Sequence, residues 1–417
     1  MRIIPRRIDR KRIEEAKPWV MIYGRRKTGK TFLVEKFIPY DYFFFVNRDG
    51  SIYEKNRGEL YGYREFLTIF RDLLGRRTIV VDEFHRLPEN FLDYLHSRGV
   101  EGELILITST LWVAQNLLRD REPLLGLVRP VRIDLPNEPE VLQFLANKVN
   151  GRELIEASTY LREVMLIPFY RGKIRDFIAS YLYEGRLIVH ALLGEIFREE
   201  EKEMTKIYEG ILKAVANGKG KSGEIANYLY SLGIVRVASS ALLQKYLGIL
   251  VDIGLLERLK IYGKNKFRYF HVSPLTHLHY YLEAKYSYTE IETPKSFIRK
   301  VVNEQTPRLV EHFIRRFLSR CFGLQQIKIE EKDLEIDIAL TEFGRLKIVG
   351  DVNWSHKISR KDMRQIEEKL SKINAERKLL VVQNRSLLPW KPGEGIEVWD
   401  IRTLRTLAEK CVNSIES

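Results

Sequence analysis

VMIYGRRKTGKTFLVEKF, residues 20–37, decides how the rest of the chain is read. Val20, Met21, Ile22 and Tyr23 form a short apolar run suited to a buried strand, and Phe32, Leu33 and Phe37 recur at helical spacing. Between them Gly24, Arg25, Arg26, Lys27, Thr28, Gly29, Lys30 and Thr31 complete the pattern G-x-x-x-x-G-K-S/T in the strand, loop and helix setting that it requires. The two glycines let the backbone curl so that successive N–H groups point inward, and the helix that follows adds the partial positive charge of its N-terminus at the same place. Such a cradle suits phosphate oxygens. Residues 24–31 are therefore expected to hold a nucleoside triphosphate, with Lys30 reaching the β- and γ-phosphates and the Thr31 hydroxyl ligating the bridging Mg²⁺.

The chain is too long, at 417 residues, for one ordinary core, and several domains are expected. Its 45% apolar and 30% charged residues are those of a folded soluble protein. The longest apolar stretch, 104–118, is broken by Thr108, Ser109, Thr110 and Gln115, so no span of a bilayer is expected. The basic opening MRIIPRRIDRKRIEE lacks the apolar centre and cleavage site of a secretory signal, which points to the cytoplasm. Cys321 and Cys411 lie far apart in sequence and show no metal-like spacing, so neither a disulfide framework nor a zinc site is indicated. The net charge of +14 has two readings: affinity for a polyanion such as nucleic acid, or a heat-stable surface laced with ion pairs.

Downstream of the phosphate loop, residues 41–46 and 78–83 read as buried strands. The second ends in Asp82 and Glu83, which places two carboxylates at the carboxyl edge of a parallel sheet, where open α/β folds bind ligands. Asp82 is expected to hold Mg²⁺ and Glu83 to polarise the water that attacks the γ-phosphate. A further strand, 103–108, ends in Ser109 and Thr110. Ser109 is either a sensor of the γ-phosphate or part of a helix N-cap. Arg129, before the strand 131–135, is either a cationic trigger for hydrolysis or a surface arginine.

The runs GRRKTGKT, IVVDEFHRLP, LILITSTLWV and LLGLVRPVRIDL together resemble the archaeal ATPase family within the P-loop NTPases, close to the AAA+ and signal-transduction ATPases. In that family the third strand ends Gly-Ser and the last is preceded by Gly-Arg. Here Thr108 stands for the glycine, and Leu127 and Val128 separate Gly126 from Arg129. The resemblance implies a helical lid after the core. Residues 137–200 have the composition for one, with Pro168 and Tyr170 kept from the family's lid segment and its glycines absent.

Residues 203–279 read as three helices followed by a β-hairpin, the plan of a winged helix. The third helix would read a major groove through Gln244 and Lys245, while Lys260, Lys264, Lys266 and Arg268 on the hairpin would lie on phosphates. Alternatively Leu242, Leu243, Leu247, Leu250 and Val251 give that helix a protein-packing role.

After a linker come Glu311 on a helix and Asp337 and Asp351 on strands, acids that could gather about Mg²⁺ as in metal-dependent nucleases, or stand solvated at strand ends. This layout resembles the C-terminal domain that accompanies many archaeal ATPases and looks like the restriction-endonuclease fold. That family's second strand ends Glu-x-Lys-Trp, whereas this one reads Asp351-Val352-Asn353-Trp354, leaving Lys357 or Lys361 to replace the lysine.

The expected fold is α/β: a P-loop NTPase with parallel sheet and helical lid, then a winged helix, then an α/β nuclease-like domain. The expected divisions are an ATPase core at 1–136, a lid at 137–202, a winged helix at 203–279, a linker at 280–307 and a nuclease-like domain at 308–417. The leading expectation is an ATP-binding, Mg²⁺-dependent ATPase that couples nucleotide state to the winged-helix and nuclease-like parts. DNA and a protein partner or second copy are the partners considered, and a membrane is not. The alternatives are a nucleotide-switched scaffold with a degenerate nuclease domain, or an ATP-regulated DNA nuclease.

Overall fold

Apolar runs such as 79–81 and 104–107 need cover on both faces, and a parallel sheet between helices supplies it. The computed structural model describes residues 3–109, 124, 126–199, 205–331, 334–354 and 358–414. They divide into two compact units, one of Pro5–Leu135 with Gly194–Glu203, the other of Met1–Ile4, Pro136–Leu193 and Met204–Ser417.

The first unit contains α1 (Arg7–Glu15), β1 (Trp19–Tyr23), α2 (Lys30–Phe37), β2 (Tyr42–Val46), β3 (Ile52–Glu54), β4 (Glu59–Tyr61), α3 (Tyr63–Leu73), β5 (Ile79–Asp82), α4 (Asn90–Arg98), β6 (Leu104–Thr108) and β7 (Arg129–Arg132). Its described strands lie in the order β4-β3-β2-β5-β6-β1-β7. From β2 to β7 they are parallel, with β3 and β4 added antiparallel at one edge. Phe44, Phe66, Phe70 and Phe91 fill one face and Ile13, Ile22, Leu33 and Val34 the other. Parallel pairing brings the ends of β1, β6 and β5 to one edge, since Tyr23 lies opposite Thr108 and Asp82 opposite Ile107. The phosphate loop, Ser109 and Glu83 leave the sheet from that edge.

The second unit opens with the helices α5 (Glu138–Ala146), α6 (Gly151–Tyr160), α7 (Ile174–Glu184) and α8 (Arg186–Glu199), the last of which ends in the first unit. Then come α9 (Lys206–Ala216), α10 (Ser222–Ser231), α11 (Ser240–Asp252), β8 (Leu256–Ile261), β9 (Phe267–His271), α12 (Pro274–Tyr286) and α13 (Lys295–Phe322). They are followed by β10 (Gln325–Glu331), β11 (Leu334–Ile336), β12 (Ile338–Glu342), β13 (Arg345–Asn353), α14 (Arg360–Ser371), β14 (Arg377–Val382), β15 (Ile396–Trp399) and α15 (Ile401–Asn413).

Here the arrangement differs from the sequence reading in three ways. The three helices and hairpin are present, but the hairpin is not a free wing. Strand β8 pairs parallel with β10, Lys260 opposite Ile327, so the described strands make one sheet of order β15-β14-β13-β12-β10-β8-β9, with β11 on β10. Two of the basic residues expected on phosphates are engaged within the unit: Arg268 is 2.8 Å from Glu330 and Lys264 reaches the Glu330 carbonyl at 3.3 Å. The stretch 280–307 is mostly helix, because Val301, Val302, Thr306, Leu309, Val310 and Phe313 recur on one face of α13 and are buried there, so that helix runs on through Pro307. Finally, Leu142 and Ile155 of the helices expected as a lid share a core with Phe313, Ile338 and Leu379, which makes them part of the second unit.

Candidate functional site

The phosphate loop is shaped by positions that other residues could not fill. Gly24 has φ +143°, and a Cβ on it would meet the Ile133 carbonyl at 2.2 Å. Gly29, at φ +85°, begins α2, and Lys27 is also left-handed at +63°. Inside the loop the Thr28 hydroxyl donates to the Arg25 carbonyl at 2.9 Å, and Lys30 Nζ donates to the Gly24 and Arg25 carbonyls at 2.7 and 3.1 Å. Arg25 is buried, Arg26 pairs with Glu195 at 2.9 Å, and Lys27 is exposed. Of the residues expected to touch nucleotide, Lys30 and Thr31 thus sit at the start of α2 facing the sheet edge, while Arg26 reaches away to α8.

At that edge the Thr31 hydroxyl donates to Asp82 Oδ2 at 2.7 Å. Asp82 is fully buried; burial first, then Glu83, pushes its pKa up to about 6, while Thr31, Lys55 and Lys30 oppose the rise. A hydroxyl beside a buried carboxylate is an oxygen donor pair that a hard divalent cation can take, and a bound cation would favour the charged form and so counter the raised pKa. The residues present fit Mg²⁺ and a phosphate tail.

Glu83 has φ +57°, a left-handed conformation costly for a residue with a side chain and often kept where function needs it. The Ser109 hydroxyl lies 3.0 Å from both of its carboxylate oxygens, and His85 Nδ1 and an Arg86 nitrogen each lie 3.5 Å from Oε2. His85 in turn meets the Thr108 hydroxyl at 3.0 Å. Ser109 therefore holds Glu83. The helix-cap alternative involves Thr110, which lies outside the described residues.

Arg129 stands elsewhere. It pairs in register with Val20, at the start of β1, and donates to the Glu15 carbonyl at 3.1 Å. With a rise of about 3.3 Å per residue, it is on the order of 10 Å short of the edge that bears the phosphate loop. Parallel register thus sets Arg129 apart from that edge, with its guanidinium held at the Glu15 carbonyl, and corrects the expectation of a trigger there.

Sequence reasoning missed Arg6. Its buried guanidinium donates to the Thr28 carbonyl at 2.5 Å and the Asp134 carbonyl at 2.7 Å and pairs with Asp9 at 2.6 Å, tying the N-terminal segment to the loop. No motif marks it; the only local signal is its place just before a helix rich in arginine.

In the second unit Asp337 and Asp351 come together. Asp351 is nearly buried, its pKa pushed up to about 7 by burial and then by Asp337, and Asp337 accepts from the Val352 N–H at 3.0 Å. Glu311 is pushed well above the usual carboxylate range by burial and then by these two aspartates. Among the described residues, however, no group of three or more His, Cys, Asp or Glu could hold a metal ion. Lys357 lies outside the described residues, and the cation beside Asp351 is Lys369 at 3.7 Å. Lys369 adjoins the buried Ile366 and Leu370 on α14.

Residues 16–124 match the family model described as an AAA domain. The matched stretch holds the phosphate loop, Asp82, Glu83 and Ser109. The chain is also 26% identical over 233 residues to the uncharacterized protein MJECL04 of Methanocaldococcus jannaschii, covering 51% of this chain and 52% of that one. The chain therefore spans about half the length of the curated relative it matches. Similar solved structures include a Walker-type ATPase of Pyrococcus abyssi at 16% identity (67% of this chain, 96% of that one, TM-score 0.48). Another is the ORC2 protein of Aeropyrum pernix in ADPNP–ADP complexes, at 14% identity (74% and 92%, TM-score 0.37). No described helix is long and apolar enough to cross a membrane.

Proposed function

We propose that the AAA domain binds and hydrolyses ATP with Mg²⁺, and that α8 passes the nucleotide state to the second unit. The observation that carries the first part is the Thr31–Asp82 hydrogen bond of 2.7 Å at the same sheet edge as Glu83 and Ser109. Mg²⁺ neutralises charge on the phosphates when bound. Lys30 and the loop N–H groups hold the phosphate tail, while Thr31 and Asp82 hold the ion. Glu83, kept in place by Ser109, takes a proton from the attacking water. For the second part, Arg26 of the phosphate loop meets Glu195 of α8 at 2.9 Å, and Arg48 meets the same carboxylate at 3.3 Å. A phosphate that drew Arg26 inward would release one end of a helix that begins in the other unit.

Single-turnover hydrolysis tests this. Glu83→Gln should bind ATP normally and hydrolyse it on the order of 100-fold or more slowly, whereas Lys30→Ala should lose affinity. Equal rates for wild type and Glu83→Gln would leave a nucleotide-switched scaffold in place of an ATPase.

A second reading, metal-dependent phosphodiester cleavage, draws support from Lys369 beside the Asp337 and Asp351 pair. With Arg268 and Lys264 engaged internally, DNA would meet the exposed Gln244 and Lys245 of α11. Plasmid that stays intact in both Mg²⁺ and Mn²⁺ rejects cleavage; nicking that Asp351→Asn abolishes supports it.

A further inference from the structure

The chain has two cysteines, Cys321 and Cys411. The first lies near the end of α13 and the second near the end of α15, helices that share the core of Phe317, Leu318, Leu404 and Ala408. Both are half-buried and both are free thiols. Cys321 packs against that core, and the two side chains are neighbours that interact with each other. A packed residue touches roughly 6–12 others, so two cysteines placed without regard to each other in a chain of this length would seldom be neighbours.

We propose that Cys321 and Cys411 form a dithiol site that closes to a reversible disulfide between α13 and α15. The oxidant is a low-molecular-weight disulfide. One of the two cysteines, as its thiolate, displaces one thiolate from it and forms a mixed disulfide. The other loses its proton as it attacks the protein sulfur of that mixed disulfide and displaces the second thiolate. Two protein thiols give up two electrons, and the small disulfide is reduced to two thiols that carry the protons away. The bond closes beside α5. Arg320, next to Cys321, pairs with the buried Glu138 of α5 at 2.7 Å, and Glu140 of the same helix faces Cys411.

The test uses the full chain and oxidised glutathione as the probe. After equilibration and alkylation in denaturant, wild type should retain no free thiol. Peptides containing positions 321 and 411 should be joined, two hydrogens lighter than the separate pair and split by dithiothreitol. Cys321→Ser and Cys411→Ser should each stop at a glutathione adduct on the cysteine that remains; circular dichroism confirms that each variant is folded. Two thiols surviving in native protein under conditions that oxidise the denatured chain would overturn the proposal. So would an adduct that persists on Cys411 in wild type, or cross-links formed only between molecules.

Discussion

Asp82 and Asp351 each sit in or at the end of a buried strand, one in each unit, and burial followed by an acidic neighbour pushes both up, to about 6 and about 7. What faces them differs. Asp82 has the Thr31 hydroxyl at 2.7 Å and two opposing lysines, Lys55 and Lys30, all in one unit. Asp351 faces a second aspartate and, among the described residues, Lys369 at 3.7 Å. The same residue type at the same pitch of burial is thus completed by a contiguous motif in one unit and by pieces of a strand pair and a helix in the other. A hydroxyl bonded to a carboxylate offers a cation a second oxygen; a shared carboxylate environment by itself stores electrostatic cost.

The largest effect that would sharpen the contrast is on rate. Asp82→Asn should lower Mg²⁺-dependent ATP turnover on the order of 100-fold or more, measured at saturating nucleotide. An unchanged rate would erase the distinction drawn between the two aspartates.

The next effect separates the units by acid. In the second unit, burial first lowers His271 to about 4 and His277 and His279 to about 3, and pushes His312 well below its usual range. These rings are neutral when folded, so the unfolded chain binds more protons below its histidine pKa of about 6.5. Their contribution is intact above that pH and is lost as pH falls toward 4. Hydrogen exchange followed from pH 7 to pH 4.5 should show the region around α12 opening before β1, β5 and β6. Simultaneous opening would contradict the assignment.

The smallest is a gain. Asp351 is raised from 3.8 to about 7, so it costs nothing below pH 4 and its penalty grows until the pH passes 7. Asp351→Asn should therefore raise the denaturation midpoint at pH 8 and leave it unchanged at pH 4. Loss of stability at pH 8 would show that Lys369 compensates the charge.

The phosphate loop was legible in sequence because its chemistry is contiguous: Gly24 to Thr31 specify the turn, the helix start and the side chains together. Asp82 and Glu83 were legible because an apolar strand ending in acids has one place to go in a parallel sheet. Arg129 was not, since its distance from the loop depends on pairing with Val20 rather than Tyr23, and register across a parallel pair leaves no trace in a single sequence. The same blindness hid the β8–β10 pairing, the meeting of Cys321 with Cys411, and Lys369. Each joins residues far apart in sequence through elements that were individually well anticipated.

Strand β8 lying against β10 has a practical meaning for anyone who wishes to take the polypeptide apart. Scissors placed between 307 and 308 would cut through the middle of a helix and tear one sheet in two, baring a row of unpaired amides and carbonyls that invites clumping. A seam ahead of α5, between Leu135 and Pro136, keeps α5 to α7 with the core they share and leaves the three helices, the hairpin and everything after them in one piece.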